Sequence, residues 1–385
     1  MNRKISSLLL ILFVLLLLWS LDYFEEVSNK DPLLNRISQI EFSIEHEVVG
    51  IGFQNDALVV KTVYYGISKN PENGSLLFIK DGKIVKNITL LPFDHYGAFD
   101  VSGNVIVLGT YGIRWLSEST FTFSPSYLVA YSSEGSELWR KEFNTTSVSA
   151  AGDLIVARGY LKNGSVVKVF DIKGEELWSL NFGEKVATNG KIVAVGEKGK
   201  IYLYSREGNL IRVIEPWKGH ISSIKLTKDG KIIVAFYSRD GSYLEVYDED
   251  GNLLWGRNFP FIQDFTVSQN YILVHSNALH ILDFSGRTLW SNEHYYPSLV
   301  LGRIAISKDE KYIAYGVSGV NLVLNPLFDC DKDGIIDESD PLPINNDLFY
   351  RILLTVIVGT SAFWVKNCKR KGKNLEKDMK KLKAP

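Results

Sequence analysis

From about residue 36 to residue 326 the chain is a succession of short apolar stretches separated by polar turns, and the stretches read as strands. VVKVFDI (166–172) and YLEVYDE (243–249) are typical, rich in β-branched and aromatic residues. Each runs into a short polar turn whose glycine can take φ > 0, as a tight hairpin requires, and returns as ELW or LLW. Five copies stand in a row: YSSEGSELW ending at Trp139, FDIKGEELW at Trp178, YSREGNLIR at Arg212, YDEDGNLLW at Trp255 and LDFSGRTLW at Trp290. A large apolar residue (Tyr131, Phe170, Tyr204, Tyr247, Leu282) lies four positions before each glycine, and Trp, or once Arg, four positions after it. The glycines Gly135, Gly174, Gly208, Gly251 and Gly286 fall 39, 34, 43 and 35 residues apart. FIKDGKIVK, with Phe78 and Gly82, begins a weaker sixth copy without the tryptophan.

A period of about 35 to 45 residues made of strands is the signature of propeller blades. A blade of about four strands cannot bury both faces alone, so it stacks on its neighbours, and one tryptophan per blade fills the wedge between them. The pattern x-D-x-x-G-x-x-L-W after an aromatic resembles the quinoprotein-type (PQQ-like) β-propeller repeat over most of residues 36–326. The expected fold is all-β: a β-propeller of about seven four-stranded blades, with six or eight as alternatives, flanked by N- and C-terminal transmembrane helices. Blades fall near 46–92, 95–143, 145–182, 183–215, 219–259 and 260–294. The last, 300–326, is one strand short, and RISQIEFSI (Arg36 to Ile44) can supply the strand that closes the ring and removes exposed edges. The second blade carries the longest insertion, around RWLSESTFTFSPS, where extra loop length and aromatics at Phe121–Phe123 suggest a partner site.

The two ends change the picture from a soluble domain to a membrane protein. MNRKISSLLLILFVLLLLWS has two basic residues before an apolar run from Leu8 to Trp19, which reads as a signal anchor over 1–22, a cleaved signal being the alternative. LFYRILLTVIVGTSAFWV (348–365) is long enough to cross a bilayer, with Arg351 near one edge and Tyr350 and Trp364 at belt positions. The tail, 366–385, has nine Lys or Arg and two acids, so it carries +7 and is expected on the cytoplasmic side with the MNRK start. That places the propeller on the extracytoplasmic side of the cell membrane. The formal net charge is −1; setting aside the tail (+7) and Arg3 and Lys4 (+2) leaves −10 between them, which argues against nucleic acid. The basic tail suits anionic lipid. Cys330 and Cys368 would lie on opposite sides of the membrane, so no internal disulfide is expected. Asn73, Asn87, Asn144 and Asn163 head N-x-S/T sequons, expected in or near loops and compatible with surface glycosylation.

Between propeller and second span lies a stalk, 327–347, containing DCDKDGIIDESDP. Asp329, Asp331, Asp333, Asp337 and Asp340 occupy positions 1, 3, 5, 9 and 12 of a loop, with Gly334 at position 6 and the Ile335 carbonyl at position 7. Alternating carboxylates around a glycine turn are what a calcium ion needs to collect six to eight oxygens. Position 12 is Asp rather than Glu, and the form resembles the calcium loops of thrombospondin type 3 and dockerin-like proteins. The expected Ca2+ is structural, ordering the stalk.

No catalytic set is legible. The enzyme branch that the PQQ-like resemblance implies would hold PQQ over a central calcium beside a catalytic carboxylate, often with a vicinal disulfide; adjacent cysteines are lacking and no Asp/Asn/Glu cluster is recognisable. The histidines show no H-E-x-x-H spacing, and His275 and His280, on either side of a short turn, read as structural. The expected function is a non-enzymatic binding or scaffolding module with a protein or peptide partner on the propeller face. The alternative is a quinoprotein-type (PQQ-dependent) alcohol or sugar dehydrogenase; a sensor is a third class.

Overall fold

Strands that follow one another in sequence pair antiparallel in quartets, and in blades two to six a four-residue turn with one left-handed glycine returns the third strand as the fourth. A computed structural model describes residues 36–327 apart from 42–45, 56, 66–70, 91–96, 111–112, 116–120, 124, 162–163, 217–218, 240, 293–302 and 317–318. Residues 1–35 and 328–385 lie outside the described residues, and with them both expected membrane spans and the expected calcium loop. Among the described residues no helix is long and apolar enough to cross a membrane.

Seven four-stranded sheets form the blades. Blades one to six span 46–90, 99–142, 144–180, 185–214, 220–259 and 264–292, each ordered from innermost to outermost strand. In blade seven the strands Arg303–Ile306, Tyr312–Gly316 and Gly319–Leu324 are completed by Arg36–Glu41, which pairs antiparallel with Gly319–Leu324. The N-terminal strand thus supplies the outer edge of the last blade, as the short final repeat requires. The innermost strands touch their neighbours all the way round, blade seven meeting blade one, so the ring is closed. The blade-two insertion is a small hairpin, Ile113–Trp115 with Phe121–Phe123, between that blade's second and third strands.

The core lies in the seams between blades. One buried cluster joins Ala194, Ile201, Leu203 and Ile214 of blade four to Ile224, Val234, Phe236 and Tyr247 of blade five; another joins Val169 and Val167 of blade three to Val193 and Val195 of blade four. Second strands, covered on both faces, read as unbroken apolar runs such as VIVLG and IIVAF, all buried. Outer strands are covered on one face and leave apolar residues in water.

The repeated motif staples the seams. Asp171 accepts the Glu175 N–H through Oδ1 (2.8 Å), while the Gly174 N–H donates to the Asp171 carbonyl (3.0 Å), closing the turn. Gly174 has φ +86°, and the register of the two strands it joins shifts between Val169 and Phe170. The indole of Trp139 on blade two lies against Gly174 and donates its Nε1–H to the Ile172 carbonyl of blade three (2.9 Å). Trp178 does the same to Gly208 and Arg206 of blade four (2.7 Å), and Trp255 to Gly286 and Phe284 of blade six (2.8 Å). In blade one Lys86 takes the tryptophan's place and donates to the Glu134 carbonyl of blade two. A second row of staples joins the corners nearer the axis: Gln54 to the Gly103 carbonyl (3.2 Å), Asn189 to the Thr227 carbonyl (2.9 Å), and Asn270 to the Glu310 carboxylate (2.8 and 2.9 Å).

Candidate binding site at the seam of blades four and five

Blade four is the repeat with Arg212 where its neighbours have tryptophan. Arg212 pairs with Asp250 of the blade-five turn at 3.2 Å, both side chains well exposed, and its Cδ lies against Gly251. An aliphatic stem and an ion pair fill less of the wedge than an indole does. A crevice of about 840 Å³ opens at this seam. Its walls come from the outer end of blade four (Val213, Ile214, Glu215, Pro216) and from the blade-five strands (Tyr243, Glu245, Tyr247, Leu253, Gly256, Asn258).

Alternation along Gly241–Tyr247 sends Leu244 and Val246 into the seam with blade six, and Tyr243, Glu245 and Tyr247 toward blade four. Glu245 is 5% exposed. It accepts a hydrogen bond from the Tyr247 hydroxyl, and Gly256 stands directly across the ladder from it, leaving the space above its carboxylate open. Burial, then that hydrogen bond, pushes the Tyr247 hydroxyl far above the usual tyrosine range, so it remains a donor. Arg257 contributes to the wall, but its guanidinium donates to Thr288 Oγ1 of blade six (2.6 Å) and lies over the Phe259 ring. The adjoining edge strand, Leu210–Ile214, exposes Leu210 (55%), Ile211 (51%) and Val213 (40%).

A second concentration of charge lines the central channel. Asp100 on blade two accepts from the N–H groups of Val101 (3.0 Å) and of Ala150 on blade three (2.8 Å). Asp264 on blade six repeats the arrangement with Phe265 (3.0 Å) and with Ile304 of blade seven (3.2 Å). Burial raises both carboxyls above the ordinary value, opposed chiefly by Lys225 at Asp100 and by Arg303 and then Lys225 at Asp264. Lys185 on blade four is lowered by burial and then by the charge of Arg158, which itself bonds the Gly183 carbonyl (3.0 Å) and Thr146 (2.6 Å). The two aspartates pin neighbouring inner strands together.

The sequence-derived candidates fare unevenly. Asp329, Asp331, Asp333, Ile335, Asp337 and Asp340 lie outside the described residues. Among the described residues no group of three or more His, Cys, Asp or Glu is placed to hold a metal. His280 is held by Ser276 (3.2 Å) and Ser291 (2.9 Å) and packs edge-on to Phe259, a structural setting; His275 is buried. Asn73, Asn87 and Asn144 stand in strands rather than loops: Asn87 is exposed, whereas the Asn144 side-chain oxygen is buried. Neither Glu245 nor the channel carboxylates stood out in the sequence. A lone Glu in YLEVYDE reads as a solvated strand face, and the channel residues come one to a blade.

Residues 162–258, which hold part of blade three, all of blade four and nearly all of blade five, match the family described as "Outer membrane protein assembly factor BamB". No curated protein matches the chain. Among solved structures, Kluyveromyces lactis Hsv2 is 13% identical with a TM-score of 0.51, covering 71% of this chain and 90% of that one. An Hsv2 form with loop 6CD replaced by a Gly-Ser linker gives 14% and 0.52 over the same shares. The Neurospora crassa Pan2 WD40 domain gives 12% and 0.50, covering 74% and 94%. At such identities the likeness is one of fold. The chain is a seven-bladed β-propeller whose central repeats, 162–258, are similar to the BamB family.

Proposed function

We propose that the protein is a membrane-anchored, extracytoplasmic β-propeller acting as a non-enzymatic binding or scaffolding module for a protein or peptide partner. The observation that carries the reading is the apolar outer edge of blade four, where Leu210, Ile211 and Val213 stand in water on a strand whose outer edge is unpaired among the described residues. That strand falls inside the repeats similar to the BamB family, whose description as an assembly factor supports a role in bringing other chains together. Anchoring rests on the apolar runs at 1–22 and 348–365 with the basic tail, and the carboxylate loop from Asp329 to Asp340 would hold one calcium ion that stiffens the stalk.

Photo-crosslinking groups at the exposed positions Ile211, Leu161 and Phe261, in the full-length protein in its membrane, test the reading. A discrete protein adduct from at least one position is expected; smears or none from all three would sink it. Calorimetry on the detergent-solubilised chain adds a second test. Calcium heat that vanishes in Asp331→Ala, with no heat from PQQ, is expected. Saturable PQQ binding would instead favour a PQQ-dependent dehydrogenase.

A further inference from the structure

We propose that the crevice between blades four and five is a receptor for a basic side chain, Arg or Lys, carried by an extended segment that pairs with the edge strand Leu210–Ile214. The proposal rests on the binding-module reading and gives it a place and a chemistry.

Three features converge. The crevice opens at the seam whose staple is Arg212 rather than tryptophan, next to Gly251 against which Arg212 lies, and it reaches the molecule's perimeter beside a strand with one edge unpaired among the described residues. Outer edges are usually guarded by charge. Lys83 and Lys86 stand on blade one and Arg140 and Lys141 on blade two, while the outer strands of blades three and six, Glu176–Leu180 and Thr288–Asn292, carry one charge and none. On Leu210–Ile214 the single charge is Arg212, already engaged by Asp250. Its backbone donors and acceptors on the outer side, flanked by Leu210, Ile211 and Val213, fit strand addition. Along an added strand every second side chain points at the seam.

The floor of the crevice decides which side chain. Glu245 is a buried carboxylate whose hydrogen-bond partner is the neutral Tyr247 hydroxyl, while the Arg257 guanidinium is turned to Thr288 and Phe259 on the blade-six side. A carboxylate lining a crevice can accept a charge-assisted hydrogen bond from an entering cation, the stronger kind of hydrogen bond. Glu215 at the wall is already paired with Lys200 (2.5 Å), so Glu245 is the carboxylate left to receive the charge, and Tyr243 and Tyr247 offer ring surface to a guanidinium or to a lysine stem. An acidic or purely apolar side chain finds no such complement.

The test uses full-length protein in detergent and three synthetic ten-residue peptides of alternating Thr and Val, whose central residue is Arg, citrulline or Glu. The Arg peptide is expected to bind saturably and at least about tenfold more tightly than the other two. Glu245→Gln keeps the shape and the Tyr247 bond and is expected to weaken the Arg peptide about tenfold, to the level of the citrulline peptide. Arg212→Trp rebuilds the staple of the other blades against Gly251, so it should raise thermal stability while abolishing binding. Equal binding of all three peptides, no saturable binding of the Arg peptide, or an Arg-peptide affinity unchanged in both variants would overturn the proposal. Protein adducts that persist from Leu161 or Phe261 in Arg212→Trp, alongside any of those results, would leave the binding module standing with its site elsewhere.

Discussion

Tryptophan and glycine act at these seams as one unit on two blades. Trp178 brings its ring against Gly208, where an added Cβ would approach to 3.0 Å, and gives its N–H to the Arg206 carbonyl. Trp178→Ala removes a large half-buried ring and is expected to cost about 3–5 kcal/mol; Trp178→Phe, which keeps much of the ring and loses the hydrogen bond, about 1 kcal/mol. Gly208→Ala meets two obstacles, the indole and a backbone at φ +89°, so about 1–3 kcal/mol is expected. Chemical denaturation of the three variants would order them; a Gly208→Ala protein as stable as the parent would mean that the indole can move aside freely. The exposed Arg212–Asp250 pair is worth at most about 1 kcal/mol, so in this molecule the sequence position that departs from its repeat marks both the weaker staple and the open crevice.

The element that completes the fold is the strand farthest from its partners in sequence. Arg36–Glu41 pairs with Gly319–Leu324 across nearly the whole propeller, and without it blade seven has three strands and a bare edge. Deleting residues 1–41 is expected to give a chain that associates through that edge and melts in a broader transition, read by light scattering and calorimetry. A monomer with unchanged melting would show that pairing to be dispensable. Protection of backbone amides should also differ between outer strands: Leu210–Ile214, held at the rim by an ion pair, should exchange faster than Glu176–Leu180, which carries Trp178. Blades and closing strand were legible in the sequence because turn glycine and aromatic spacing are local, and a final repeat short by one strand demands a donor. The crevice was not. YLEVYDE shows a strand with a charge on one face, and only the position of blade four turns that face inward and buries Glu245.

At the scale of the whole ring, charges from blades far apart in sequence meet in the channel. Lys225 on blade five acts on both Asp100 on blade two and Asp264 on blade six, yet burial outweighs it, so both carboxyls hold their protons to higher pH than in the unfolded chain. A group whose folded value is raised makes the native state bind more protons than the unfolded state between the two values. Its contribution to stability therefore falls as pH rises from the unfolded value of 3.8 through the raised folded value. Exposed carboxylates lowered by their own partners, Asp283 by Ser285 and Asp153 by Arg206, slope the opposite way but are screened by solvent. The comparison that isolates the channel is thus between the parent and an Asp100→Asn, Asp264→Asn double variant, whose amide oxygens can still accept the inter-blade N–H bonds. Measured by denaturant midpoint from pH 4.5 to 8, the double variant is expected to gain stability relative to the parent as pH rises. If the parent gains instead, Lys225 and Arg303 outweigh burial and the channel is held by ion pairs across the ring.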